Sequence, residues 1–160
     1  MAARKTQNPG KDGRRMVCAN RKARHDYEIV DTLEAGLILT GSEVKSLREG
    51  KGQLADAYAV VGQDGVILKN LEITPYTHDH SGETRSKRPR GLLLHAAEVR
   101  KLKSRLREQG LALIPLSIYF QGPWAKCELA VARGRRKADK RQALRQKAAE
   151  REMDRARRRR

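Results

Sequence analysis

Asn20 to Gly50 read NRKARHDYEIVDTLEAGLILTGSEVKSLREG. The stretch opens on a basic cluster, Arg21, Lys22 and Arg24, followed by His25. Two strand-like runs come next, split at Ala35-Gly36. In residues 26–34, DYEIVDTLE, Tyr27, Ile29 and Leu33 share one face, the alternation of a half-buried strand. Residues 36–40, GLILT, form a second and more apolar strand. The last part predicts a short helix over 41–49 with both ends marked. Thr40-Gly-Ser-Glu43 fits a capping box, in which the Thr40 hydroxyl accepts from the Glu43 amide and the Glu43 carboxylate accepts from the Thr40 amide. Val44 and Leu47 give that helix an apolar edge, and Gly50 stands where a left-handed residue ends it. A positive rim, a β-ribbon and a plugging helix thus lie in one short segment.

Downstream, residues 57–61 and 66–73 read as two strands around Gly62-Gln-Asp-Gly65, where Asp64-Gly65 signals a hairpin turn. Pro75 ends the second of them, because it has no amide to donate to a ladder. Residues 77–91, THDHSGETRSKRPRG, form a loop without an apolar side chain, in which Arg85, Lys87, Arg88 and Arg90 concentrate charge. Leu92–Leu94 lead into an amphipathic helix over 95–109, with Val99, Leu102 and Leu106 at helical spacing and a basic outer face. Residues 111–120, LALIPLSIYF, form a strand apolar on both faces, and Pro115 in it calls for a bulge or a sheet edge. Residues 124–132, WAKCELAVA, alternate, with Ala125, Cys127, Leu129 and Val131 inward and Lys126 and Glu128 outward. Such elements predict a mainly β fold: a small OB-like antiparallel β-barrel of about six strands with two or three short helices. A flat sheet with one helical layer is the competing architecture.

The 160 residues suffice for one domain. Apolar residues make up 38% and charged residues 34%, so part of the chain stays out of the core. The net charge of +17 is that of a polyanion binder. It is uneven: residues 133–160 hold 14 Lys/Arg against 4 Asp/Glu. Three parts are expected: a mobile N-terminal arm over 1–15, an OB-like barrel over 16–132, and a basic tail over 133–160. The tail has high helix propensity and little to bury, which predicts disorder when free and a helix against a polyanion. Neither a signal peptide nor a membrane-length apolar run is present, and Cys18 and Cys127 lack CxxC partners. A reducing, cytoplasmic setting and no membrane partner are the simplest reading.

Catalysis has weak support. His78-Asp79-His80 is the only imidazole–carboxylate cluster and lacks a third metal ligand in sequence. A cysteine nucleophile needs a paired base, and Cys127 falls inside the barrel. No P-loop or dinucleotide fingerprint occurs, so neither an enzyme nor a cofactor is expected. Glu34 reads either as a solvated strand-end carboxylate or as an acceptor for base amino groups or a ribose hydroxyl on a basic surface. His25 reads either as a core histidine or as a ring that stacks on a base. The loop arginines and the tail are dense enough in charge to expect RNA contact. A stably integrated ribosomal OB-fold protein and a basic nuclease are the rival readings.

Taken in order, NRKARHDYEI at 20–29, EAGLILTGSEVKSLREGK at 34–51, DAYA at 56–59, ITPY at 73–76, LLLH at 92–95, ALIPLSIYFQGPWAKCELAVARGRRK at 112–137 and DKR at 139–141 resemble the SmpB family, the SsrA-binding proteins of bacterial ribosome rescue (trans-translation). The resemblance implies an OB-like barrel that binds the tRNA-like domain of transfer-messenger RNA. It also implies a tail that enters the vacant mRNA channel of a stalled ribosome and becomes helical there. On the RNA side it implies Asn20, Glu34, Leu93 and His95, joined by Arg21, Lys22, Arg24, Leu92 and the loop residues Arg88 and Arg90. On the ribosome side it implies His25, opposite the decoding centre, then Arg133, Arg135, Arg136 and Lys137, with Asp139, Lys140 and Arg141 as the working segment of the tail. Two positions depart from the pattern: Gly91, where a Lys is expected before the leucines, and Ala138, where a His or another polar residue precedes DKR in some members.

Overall fold

A computed structural model describes residues 13–80, 85–108 and 110–158, with the side chains of 137–140 and 143 outside the description. The first twelve residues of the expected arm therefore lie outside the described residues, as do Arg159 and Arg160.

The elements run β1 (Arg14–Ala19), α1 (Ala23–Asp26), β2 (Tyr27–Leu37), α2 (Gly41–Arg48), β3 (Gly52–Gln53), β4 (Tyr58–Val61), β5 (Val66–Lys69), β6 (Glu72–Ile73), β7 (Arg90–Leu93), α3 (Ala96–Arg105), β8 (Leu111–Gln121), β9 (Trp124–Gly134) and α4 (Lys137–Arg158). The main sheet is ordered β1-β8-β4-β5-β7-β2-β9, and pairing of β8 with β9 closes six of its strands into a ring. Every pairing is antiparallel. The expected barrel of about six strands is therefore the fold, and the flat sheet is not. Closure removes the free edges that an open sheet exposes.

Inside the ring, Leu37, Val66, Leu68, Leu92, Leu113, Ile118, Cys127, Leu129 and Val131 form one buried core. Leu47 of α2 and Leu102 of α3 belong to the same core. These helices close opposite ends, because α2 follows β2, α3 follows β7, and the two strands run antiparallel. The capping box of α2 forms as expected: Thr40 N–H donates to the Glu43 carboxylate at 3.0 Å, and Glu43 N–H donates to Thr40 Oγ1 at 3.4 Å. Gly50 ends the helix at φ +79°, a conformation costly for any residue with a Cβ. A second, smaller core lies outside the ring, where Ala23 of α1 covers Ile114, Leu116, Ala130 and Ala132. This is why β8 is apolar on both faces.

The edge of β8 opposite β9 is shared by two partners. Ala59 of β4 pairs with Leu113, while β1 pairs from Ser117 to Gln121. Pro115 falls in the gap between them, and the register shifts between Pro115 and Ser117, the bulge that proline called for. Asn20 fills the gap. Its backbone N–H donates to Leu116 O at 2.7 Å, and its side-chain amide donates to Pro115 O at 3.3 Å.

Several boundaries differ from the sequence reading. β2 is one continuous strand, because Gly36 stays extended and pairs with Leu93 on one side and Lys126 on the other. β1 begins at Arg14, so Arg14 and Arg15 of the expected arm belong to a strand. The run 66–73 breaks into β5 and β6 at Asn70, which has φ +58°. Leu92 and Leu93 belong to a strand, not a helix lead-in. The tail carries a 22-residue helix, the conformation expected of it against a polyanion. After Gly134 it contains no Gly, Pro or β-branched residue, so its intrinsic helix propensity is high. Its start is also anchored, since Arg135 N–H donates to Asp26 O at 2.9 Å, which lowers the cost of nucleation.

Candidate nucleic-acid interface

Alternation along β2 points Ala35 and Leu37 into the core and leaves Glu34 and Gly36 on the outer face. There Glu34 meets side chains from three other strands. Lys126 Nζ of β9 donates to its Oε1 at 2.9 Å, Tyr119 OH of β8 donates to its Oε2, and Arg14 of β1 lies 3.5 Å from Oε2. The Arg14 guanidinium also sits 5.0 Å from the Tyr119 ring centroid, a cation–π distance. The hydrogen bond from Tyr119, then that from Lys126, holds the Glu34 carboxyl below its ordinary value. Burial and the neighbouring Glu34 push the Tyr119 hydroxyl up, so Tyr119 stays a neutral donor. The result is a fixed anion, only partly used as an acceptor, framed by two cations on a basic surface.

Exposed apolar side chains border this cluster. Leu93 is 61% exposed and lies across Gly36, where a Cβ would come within 3.2 Å of its own Cβ. Ile38 folds over Gly91, so that a Cβ at 91 would meet Ile38 Cδ1 at 2.9 Å. A side chain at 91 would therefore need the half-exposed Ile38 side chain to move aside. Trp124, at the tip of the β8–β9 hairpin, is 69% exposed. Gly122 makes this two-residue turn possible with φ +58°.

Other expected RNA-side residues fall into three groups. Arg21, Lys22 and Arg24 are exposed around α1, and His95 is exposed ahead of α3, where its N–H donates to Glu98 at 3.0 Å. Leu92 points into the core, because alternation in β7 gives only one of the two leucines to the surface, which leaves Leu93 and not Leu92 in position to meet a partner. Arg90 is also corrected: it is fully buried. Its Nε donates to Glu43 Oε1 at 2.9 Å, and its remaining donors reach the carbonyls of Leu71, Arg88 and Ser86. Arg88 is 30% exposed and donates from Nε to Glu43 Oε1 at 2.8 Å. Both arginines therefore clamp the loop onto α2. Asn20 is also engaged inside the fold, its Oδ1 accepting from Ala23 N–H at 3.1 Å and its amide donating to Leu54 O at 3.3 Å.

On the side expected to face the ribosome, His25 Nδ1 lies 3.0 Å from Asp26 Oδ1. Arg133 and Arg136 are exposed, Arg135 is half-buried, and Arg141 is exposed on α4. Lys137, Asp139 and Lys140 stand in the first turn of α4, and their side chains lie outside the described residues. Among the described residues, no group of three His, Cys, Asp or Glu is placed to hold a metal, and no helix is long and apolar enough to cross a membrane.

Arg14, Tyr119, Lys126 and Trp124 were missed as site residues by the sequence reading. The outward alternation of Lys126 was legible. Its convergence with residues about 90 positions away on Glu34 was not.

A closed antiparallel barrel with a fixed carboxylate in a cationic frame and a basic helical extension defines a class, the small β-barrel proteins suited to polyanions. The chain belongs to the SmpB family, whose model matches residues 17–159. It is 49% identical to the SsrA-binding protein of Syntrophobacter fumaroxidans over 91% of each chain. It is 50% identical to that of Acidothermus cellulolyticus over 90% of this chain and 91% of the other. Against the SsrA-binding protein of Thermobifida fusca the identity is 49%, covering 100% of this chain and 99% of the relative. A solved chain described as "tmRNA-SmpB: a journey to the center of the bacterial ribosome" superposes with a TM-score of 0.64 and 43% identity, over 80% of this chain and 94% of that one.

Proposed function

We propose that this protein is an RNA-binding adaptor that binds the tRNA-like domain of transfer-messenger RNA and delivers it to stalled ribosomes, with α4 entering the empty mRNA channel. It performs no catalysis and works in the cytoplasm, where its RNA and the ribosome are. The observation that carries this reading is Glu34, held ionised and outward by Tyr119 and Lys126 beside exposed Leu93. A bare polycation binds every RNA alike. A fixed carboxylate repels phosphate and accepts from base amino groups or ribose hydroxyls, so it converts general attraction into choice. Arg21, Lys22, Arg24 and His95 border the RNA. His25 and the segment from Arg133 to Arg141 face the ribosome.

The test is a titration against transfer-messenger RNA, bulk tRNA and an unrelated hairpin of equal length at matched salt, with wild type and Glu34→Gln. The wild type is expected to prefer transfer-messenger RNA, and the variant to lose about tenfold of that preference, roughly 1.4 kcal/mol. The slope of log K against log salt stays the same, because no phosphate contact is lost. Equal affinity of the wild type for all three RNAs would remove the adaptor reading.

A further inference from the structure

Between α1 and the segment leading into β4 lies a cleft of about 500 Å³. It shares no residue with the Glu34 cluster, and of its lining only Asn20 and Lys22 are considered for RNA contact above. Its lining combines three features. Tyr27 and Tyr58 supply aromatic walls, and Ile114 with Ala23 and Ala112 supplies an apolar floor. Lys22 is the cation of the lining. Asp26 and Asp56 are also in it, two carboxylates on a protein of net charge +17. Asp56 is exposed and makes no hydrogen bond or ion pair among the described residues.

A phosphate site would not carry carboxylates, since they repel the ligand. A site for the planar face of a heteroaromatic ring needs apolar and aromatic walls, and its polar groups then read the ring edge. A carboxylate is acceptor-only, so it selects an edge that presents donors. Among the four RNA bases, guanine alone places two adjacent donors, N1–H and the N2 amino group, on its Watson–Crick edge, which matches two carboxylate oxygens. The cation in the same lining suits the phosphate attached to that base.

We propose that this cleft binds an unpaired, extruded guanine of an RNA partner, with Tyr27 and Tyr58 against its face and Asp56 accepting from N1–H and N2–H. The inference rests on the RNA-adaptor reading and adds a base-specific site that shares no residue with the Glu34 cluster. Asp56 is then the specificity-determining residue, and Lys22 holds the adjoining phosphate.

The experiment uses the full chain and fluorescently labelled uridine hexamers carrying one central guanosine, inosine or adenosine. The wild type is expected to bind the guanosine hexamer about tenfold more tightly than the adenosine hexamer. Inosine, which keeps N1–H and lacks the amino group, falls between them. Asp56→Asn loses the guanosine advantage while its thermal midpoint is unchanged. A purely electrostatic role for Asp56 would instead tighten all three hexamers equally and leave their ratio intact. Tyr58→Ser weakens all three. Equal binding of the three hexamers by the wild type, or a guanosine preference that survives Asp56→Asn, overturns the proposal. The transfer-messenger RNA titration run alongside separates the two readings. Guanosine preference without transfer-messenger RNA selectivity keeps the cleft and removes the adaptor, and the converse removes only the cleft.

Discussion

At the scale of single residues, charge acts in two opposite ways on this barrel. Glu34 is charged, partly exposed and available. Glu43 is charged, fully buried and consumed by Arg88 and Arg90. Burial pushes the Glu43 carboxyl up, but the bonds from Arg88, the Thr40 amide and Arg90 together outweigh it, so its pKa lies below the ordinary 4.5. A carboxylate whose folded pKa is depressed stabilises the fold above the unfolded value, and that contribution is lost as pH falls through the folded pKa. Denaturant unfolding should therefore show stability declining below about pH 4.5. Glu43→Gln should cost about 3 kcal/mol at pH 7, since it leaves two guanidinium groups uncompensated, and should flatten the acid limb. An acid limb identical to that of the wild type would assign the acid sensitivity to other carboxylates.

At the scale of elements, the gap in the edge of β8 explains why an asparagine stands at position 20. Proline at 115 needs no partner for its nitrogen, but the carbonyls of Pro115 and Leu116 still do. Asn20 meets both, and the same side chain starts α1 through the Ala23 amide, which sets the direction of the basic turn. Asn20→Ala keeps the backbone bond to Leu116 O but should lower stability by about 1–3 kcal/mol, because it leaves the Pro115 and Leu54 carbonyls and the Ala23 amide without their side-chain partner. Differential scanning calorimetry with a parallel RNA titration checks this. An unchanged melting temperature with weakened RNA binding would return Asn20 to the role of a direct contact.

At the scale of the whole molecule, a closed barrel is followed by a helix about 33 Å long. The barrel core does not depend on α4, whose described side chains are all exposed. Truncation after Arg136 should therefore leave the melting temperature of the barrel within about 1 °C and preserve transfer-messenger RNA affinity at matched salt. It should abolish peptide tagging on stalled ribosomes and remove helical ellipticity equivalent to 22 residues. Tagging by the truncated protein would show that α4 is not the element that senses the empty channel.

Local chemistry alone determined the helix of residues 41–48, because its capping box, apolar edge and terminal glycine lie within eleven residues of one another. It equally determined the inward set of β9 and the division into a barrel and a cationic tail, since alternation and charge count are local properties. Only the tertiary structure decided that Gly36 continues a strand, because Leu93 on a distant strand lies over it. It also decided which of Leu92 and Leu93 faces solvent, since a three-residue apolar run has no legible phase until its neighbours set the register. The loop arginines show the same limit most sharply. Arg88 and Arg90 carry the charge density of an RNA-binding loop. Their partner, Glu43, is more than forty residues away, and only closure of the barrel buries Glu43 with Arg90 and brings the half-buried Arg88 onto them.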